Sequence, residues 1–129
     1  MQTLSGLYHS LSGRILTVND HNRLALLPRK AQQNETDKLR VDGDFWLCRN
    51  DGLVGKFGTP EKVTLHCDGQ EYNIWVETRG FRDGSTEYGL SPIPPGGEYS
   101  NRFLAVNEEL DRLEIVGQWD DQAKFRYVS

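Results

Sequence analysis

Residues Arg102 to Val116 read RFLAVNEELDRLEIV. Two short apolar runs, Phe103 to Val106 and Leu113 to Val116, flank a polar stretch of Asn, Glu and Asp. Apolar runs of this length bounded by turn formers are the signature of a β-hairpin. The same signature occurs twice upstream, in RILTVNDHNRLALL (Arg14 to Leu27) and KVTLHCDGQEYNIW (Lys62 to Trp75). Three hairpins in one short chain set the architecture before any single residue does.

Outward from the hairpins, each copy is preceded by a related segment. Gly6 to Leu11 (GLYHSL) matches Gly52 to Phe57 (GLVGKF) position by position, and Tyr88 to Ile93 (YGLSPI) repeats it loosely. In the first segment Leu7 and Leu11 are expected on one face of a strand. The second hairpin aligns with the first at an offset of 48 residues. Val63 then falls on Ile15, His66 on Val18, Asp68 on Asp20, Tyr72 on Leu24 and Ile74 on Leu26. The third hairpin aligns at 88 and then 89, with one residue inserted in its turn. Each unit closes on a further strand: Lys38 to Val41 with Phe45 to Arg49 in the first, Arg79 to Arg82 in the second, and Ala123 to Val128 in the third. Asn50-Asp51-Gly52 and Asp83-Gly84 supply tight turns.

Strand, hairpin and strand, repeated three times at about 40 residues, amounts to about twelve short strands. One such unit cannot bury its own apolar face, whereas three around a pseudo-threefold axis can. The expected fold is therefore all-β, a β-trefoil with three pseudo-repeats of four short strands. It forms one domain over residues 1–129, with repeats at about 1–51, 52–87 and 88–129. A chain of 129 residues suits one domain with its own core. Thirteen glycines and five prolines favour many turns over long helices.

The strings GRILTVNDHNRLAL (Gly13 to Leu26) and NRFLAVNEELDRLEIV (Asn101 to Val116), with AKFRYV (Ala123 to Val128) as a closing strand, resemble the repeats of fascin-type β-trefoils. The resemblance covers most of the first and third units and is weaker in the second. It implies a trefoil fold and a binding role, fascin-type trefoils being associated with actin bundling. The chain departs from the ricin-type lectin pattern, whose repeats end in Gln-x-Trp. Here Gln118 and Trp119 are adjacent and occur once.

Composition removes several function classes. Net charge is -4, with the acidic excess growing toward the C-terminus, and no basic stripe is present to neutralise phosphates. Nucleic acid is thus not an expected partner. No apolar stretch has the length of a membrane span, and MQTLSGLYHS lacks the basic and apolar segments of a signal peptide. The expected location is cytoplasmic, with secretion by a non-classical route left open; in that setting the Asn34-Glu35-Thr36 sequon is accidental. Cys48 and Cys67 are too few for a disulfide scaffold, and a single bridge between them stays open.

No constellation commits the chain to catalysis. There is no Gly-x-Ser-x-Gly elbow, and glycines precede strands instead of helices. Carboxylate pairs can be drawn from Asp68, Asp83, Glu87 and Glu98, as in any acidic chain. His9, His21 and His66 fall in separate contexts without metal-ligand spacing, and His66, aligned with Val18 and Val106, is expected in the core. No cofactor or metal is expected. What remains is a non-catalytic binding module. Trp119 with Asp120 and Asp121 has the chemistry of a sugar site, a ring face for the pyranose and carboxylates for its hydroxyls. Trp46 is expected outward, between a buried Phe45 and Leu47, whereas Trp75, aligned with Leu27 and Val116, is expected in the core. The polar hairpin tips add Asp20, Asn22 and Asp68. The expected ligand is a carbohydrate. The alternative is a protein partner, bound as in a fascin-like actin module or a loop-based protease inhibitor, through Arg29 to Thr36 or Pro92 to Ser100.

Overall fold

The computed structural model describes residues 6–31, 39–41, 45–49 and 62–128. The Asn50-Asp51-Gly52 turn, the strand at Gly52 to Phe57 and the sequon lie outside the described residues. The described elements are strands β1 (Gly6–His9), β2 (Leu16–Val18), β3 (Leu24–Leu26), β4 (Leu39–Val41), β5 (Leu47–Arg49), β6 (Thr64–Cys67), β7 (Gln70–Arg82), β8 (Ser85–Ile93), β9 (Phe103–Asn107), β10 (Arg112–Val116) and β11 (Phe125–Val128), with one 3-10 turn at Asp121–Ala123. The chain is all-β, as expected. No helix among the described residues is long and apolar enough to cross a membrane.

The named strands, among the described residues, pair antiparallel. A five-stranded sheet runs β1-β11-β8-β7-β6, and β2-β3, β4-β5 and β9-β10 form two-stranded pairs. β1 pairs along its length with β11, from Gly6↔Val128 to His9↔Phe125. Isolated bridges at Trp46↔Trp75 and Cys48↔Lys62 link the β5 region to the second hairpin. The three hairpins expected from sequence are present as β2-β3, β6-β7 and β9-β10.

The core is drawn from every hairpin. Leu16, Leu24, Val63, Leu65, Tyr72, Ile74, Leu104 and Val106 pack with Leu7, Leu39, Leu47, Val76, Leu90 and Phe125. The second hairpin departs from the expected register. Its core pair is Leu65↔Tyr72, standing where Val18↔Leu24 and Val106↔Leu113 stand in the others. The first strand is thus offset by 47 residues and only the second strand by 48, so this turn, like the third, carries an inserted residue. The cause is Asp68-Gly69, a two-residue turn with φ of 52° and 78° that pairs Cys67 with Gln70. His66 is consequently exposed, which corrects its expected place in the core. Leu11 is also exposed, because β1 ends at His9 and the chain turns before reaching it.

Side chains tie the hairpin ends to neighbouring units. Buried Arg14 donates to Asp111 Oδ1 (2.6 Å), Glu108 Oε1 (3.4 Å) and the Leu27 carbonyl (3.1 Å), while Arg29 reaches Glu108 Oε2 at 2.8 Å. At the next junction Asn22 donates its amide to the Lys62 carbonyl, and Arg23 meets Glu71 Oε1 at 3.3 Å. A bonded Thr64 hydroxyl and the Arg23 guanidinium hold the Glu71 carboxyl below its ordinary value.

Candidate functional site

Burial alternates along β7 from Tyr72 to Glu77, and that alternation assigns its two faces. Tyr72, Ile74 and Val76 are buried in the core, so Trp75 and Glu77 project from the opposite face. Trp75 therefore lies outside the core, half-buried, which corrects its expected packing. Its ring meets Trp46 edge-on (centroids 5.4 Å apart, 89°) and Phe45 at a tilt (5.8 Å, 41°).

Phe45 also departs from expectation: it is 48% exposed. Its φ of 66° breaks the strand alternation that would have buried it with Leu47. Trp46 is half-buried, with the Lys62 amine 4.4 Å from its ring centre. Phe45 and Trp75 line a shallow cleft of about 280 Å³ together with Val76, Glu77 and Thr78. That volume is near the small end of ligand sites, which begin at about 300 Å³.

Polar groups continue along the same face. Glu77 Oε2 accepts from Arg79 Nη2 (3.1 Å) and from the Tyr99 hydroxyl (3.4 Å). That hydroxyl also points at Asn101 Oδ1, 3.3 Å away, so a single proton serves two acceptors. Tyr99 itself is 43% exposed. Arg79 is the extra residue of a bulge, where the β7-β8 register shifts between Thr78 and Gly80. The bulge turns its guanidinium over Phe103 (4.7 Å) and Trp119 (5.1 Å).

Trp119 is half-buried against Phe103, Ala105 and Ala123. Its indole fits because Gly89 has no side chain: a Cβ there would meet Nε1 at 3.1 Å and Cδ1 at 3.2 Å. The Lys124 amine also stands 5.0 Å from the ring centre. Two cations and a packed edge make this indole an anchor for its loop. Asp120 accepts from the Gln122 backbone N–H at 3.0 Å and caps the 3-10 turn, while Asp121 pairs with Lys124 at 3.2 Å.

β7 thus connects the two tryptophans singled out from sequence, Trp46 at one end of its outer face and Trp119 at the other. The hairpin residues stand elsewhere. Asp20 is an exposed tip residue, Asn22 is engaged with Lys62, and Asp68 forms the β6-β7 turn beside the Cys67 thiol. Burial and the Asp68 carboxylate push that thiol above its ordinary value. No disulfide joins Cys48 and Cys67. Among the described residues no three His, Cys, Asp or Glu side chains converge as a metal site.

Sequence reading missed Phe45, Trp75, Glu77 and Tyr99. The alternation in β7 carried the signal for Trp75 and Glu77, because Ile74 and Val76 cannot be buried with Trp75 on the same face. Compared with protein-family models, with curated proteins and with solved structures, the chain matches none.

Proposed function

We propose that the chain is a non-catalytic β-trefoil binding module whose ligand is a carbohydrate, held in the cleft of Phe45, Trp75, Glu77 and Thr78. The observation that carries this reading is the pairing of two partly open rings with a carboxylate and a hydroxyl on one shallow surface. A pyranose presents an apolar C–H face to aromatic rings and hydroxyls to an acceptor such as Glu77.

Strand order supports the trefoil part of the reading. Pairing passes from β1 through β11 and β8 to β7, then by the Trp46↔Trp75 bridge to β5 and its partner β4, which touches β1 again. At one end β3, β6 and β10 are in mutual contact. Positions Leu27 and Val116, equivalent to Trp75, hold aliphatic residues, so the Trp75 ring has no aromatic counterpart at those positions of the first and third units.

A glycan array followed by calorimetry tests the proposal. Trp75→Ala and Phe45→Ala are expected to weaken binding at least tenfold, about 1.4 kcal/mol, with Asp68→Asn as an unaffected control. No array signal, with no chemical-shift change on adding common monosaccharides, overturns it. A protein-interaction role is favoured by one observation, the 75% exposure of Phe81 beside the Asp83-Gly84 turn. Inhibition in a protease panel or cosedimentation with actin, lost in Phe81→Ala, would select that reading instead.

A further inference from the structure

The cleft is one end of a longer surface, and the length of that surface specifies the ligand. Trp75, Glu77 and Arg79 succeed one another along β7. At about 3.3 Å per residue, Trp75 and Arg79 are separated by roughly 13 Å. One sugar ring on the Phe45–Trp75 platform leaves the rest of this distance uncovered. Beyond the platform stands Tyr99, whose ring is exposed and whose hydroxyl contacts the same Glu77 oxygen as Arg79. A second aromatic side chain therefore stands within hydrogen-bond reach of the carboxylate that follows the platform on β7.

We infer that the ligand is a short oligosaccharide lying along β7, with one ring on Phe45–Trp75, the next over Tyr99, and Glu77 taking hydroxyls from both. The inference rests on the carbohydrate reading above and deepens it. A ribbon-like chain of equatorially linked β-sugars suits this surface, because successive rings stay extended along the direction of the strand. A coiled α-linked chain leaves the surface after one ring. The Glu77 carboxylate, already engaged by Arg79, orients neutral hydroxyls. Tyr99 has one proton for two acceptors, so an incoming hydroxyl replaces the contact to Asn101 without stranding a buried group.

Calorimetric titration of the full chain with glucose, cellobiose and cellotriose, and with N-acetylglucosamine and its β-1,4-linked dimer and trimer, reads the length dependence. Maltotriose serves as the α-linked comparison. In at least one β-linked series, affinity is expected to rise tenfold or more from monomer to trimer. Tyr99→Ala should collapse the trimer-to-monomer ratio toward one, while Tyr99→Phe, which keeps the ring, should retain most of it. Unfolding curves of both variants establish that they are folded. Equal affinity for monomer and trimer, an unchanged ratio in Tyr99→Ala, or a preference for maltotriose overturns the inference and leaves the carbohydrate reading standing. Array hits confined to glycans outside these series have the same consequence. An array without hits overturns the carbohydrate reading itself.

Discussion

His9 is a fully buried side chain whose bonds fix its protonation state. Its Nε2 faces the Gln122 carbonyl at 3.0 Å and so carries the proton, and Nδ1 accepts from the Ser12 hydroxyl at 2.7 Å. Burial lowers its pKa from the ordinary 6.5, with Arg14 adding to the effect against an opposing pull from the Gln122 carbonyl and Glu108. The unfolded chain therefore binds a proton at a pH where the folded protein does not. The resulting stability is present above about pH 6.5 and is lost as pH falls toward the folded value. Thermal unfolding followed from pH 7.5 to 5 should show this loss, and His9→Gln should flatten the curve while lowering stability at pH 7.5. Glu71, whose carboxyl is held below 4.5, contributes above that pH and loses its contribution in a separate, more acid window. Arg14 provides the second test at this scale. Arg14→Ala removes a buried cation from Asp111, Glu108 and the Leu27 carbonyl and should cost about 2–4 kcal/mol in urea unfolding. The inward histidine was misread from sequence, where His66 was expected inside on the strength of its alignment with Val18. Pattern identified the strand, but one residue of turn length decides which of its faces is wet.

At the scale of elements, the hairpins were legible because their apolar runs are short and their turns rich in Asn, Asp and Gly. The slipped register of the second came from treating its turn as equal in length to the first, although Asp68-Gly69 already specified a two-residue connection. Gly69 holds φ of 78° in open space, so a methyl there meets no atom but strains the backbone. Gly69→Ala should destabilise the protein by about 1 kcal/mol, whereas Gly80→Ala, with open space and no positive φ, should fall within about 0.5 kcal/mol of the parent. Gly89 differs from both, since its missing side chain makes room for Trp119 and Arg79. Gly89→Val should move the indole, read as a changed tryptophan emission maximum. The site was the less legible part. Phe45 is turned outward by a backbone conformation that no periodicity announces, and Tyr99 reaches Glu77 from a loop between β8 and β9.

For the whole molecule, the decisive contacts join distant parts of the chain. β1 is completed by β11, and Phe125, fully buried at that seam, packs against the His9 ring at 5.4 Å. Phe125→Ala should cost about 3–5 kcal/mol in urea unfolding, as much as any core truncation in this chain. The all-β class and the recurrent hairpins could be read from composition and repeat spacing. The continuous β7 strand could not, because it fuses the second strand of one hairpin with the segment expected to close the unit, leaving no turn signal between them. That fusion is what places Trp75, Glu77 and Arg79 on one strand. The central claim is that this strand binds carbohydrate. Amide and indole chemical-shift mapping during titration with a glycan identified on the array tests it directly. Shifts centred on Trp75, Glu77, Thr78 and Tyr99 are the predicted result; shifts confined to the hairpin tips Asn19 to Asn22 and Asp68 to Gln70, or to Gln118 to Asp121, would contradict it.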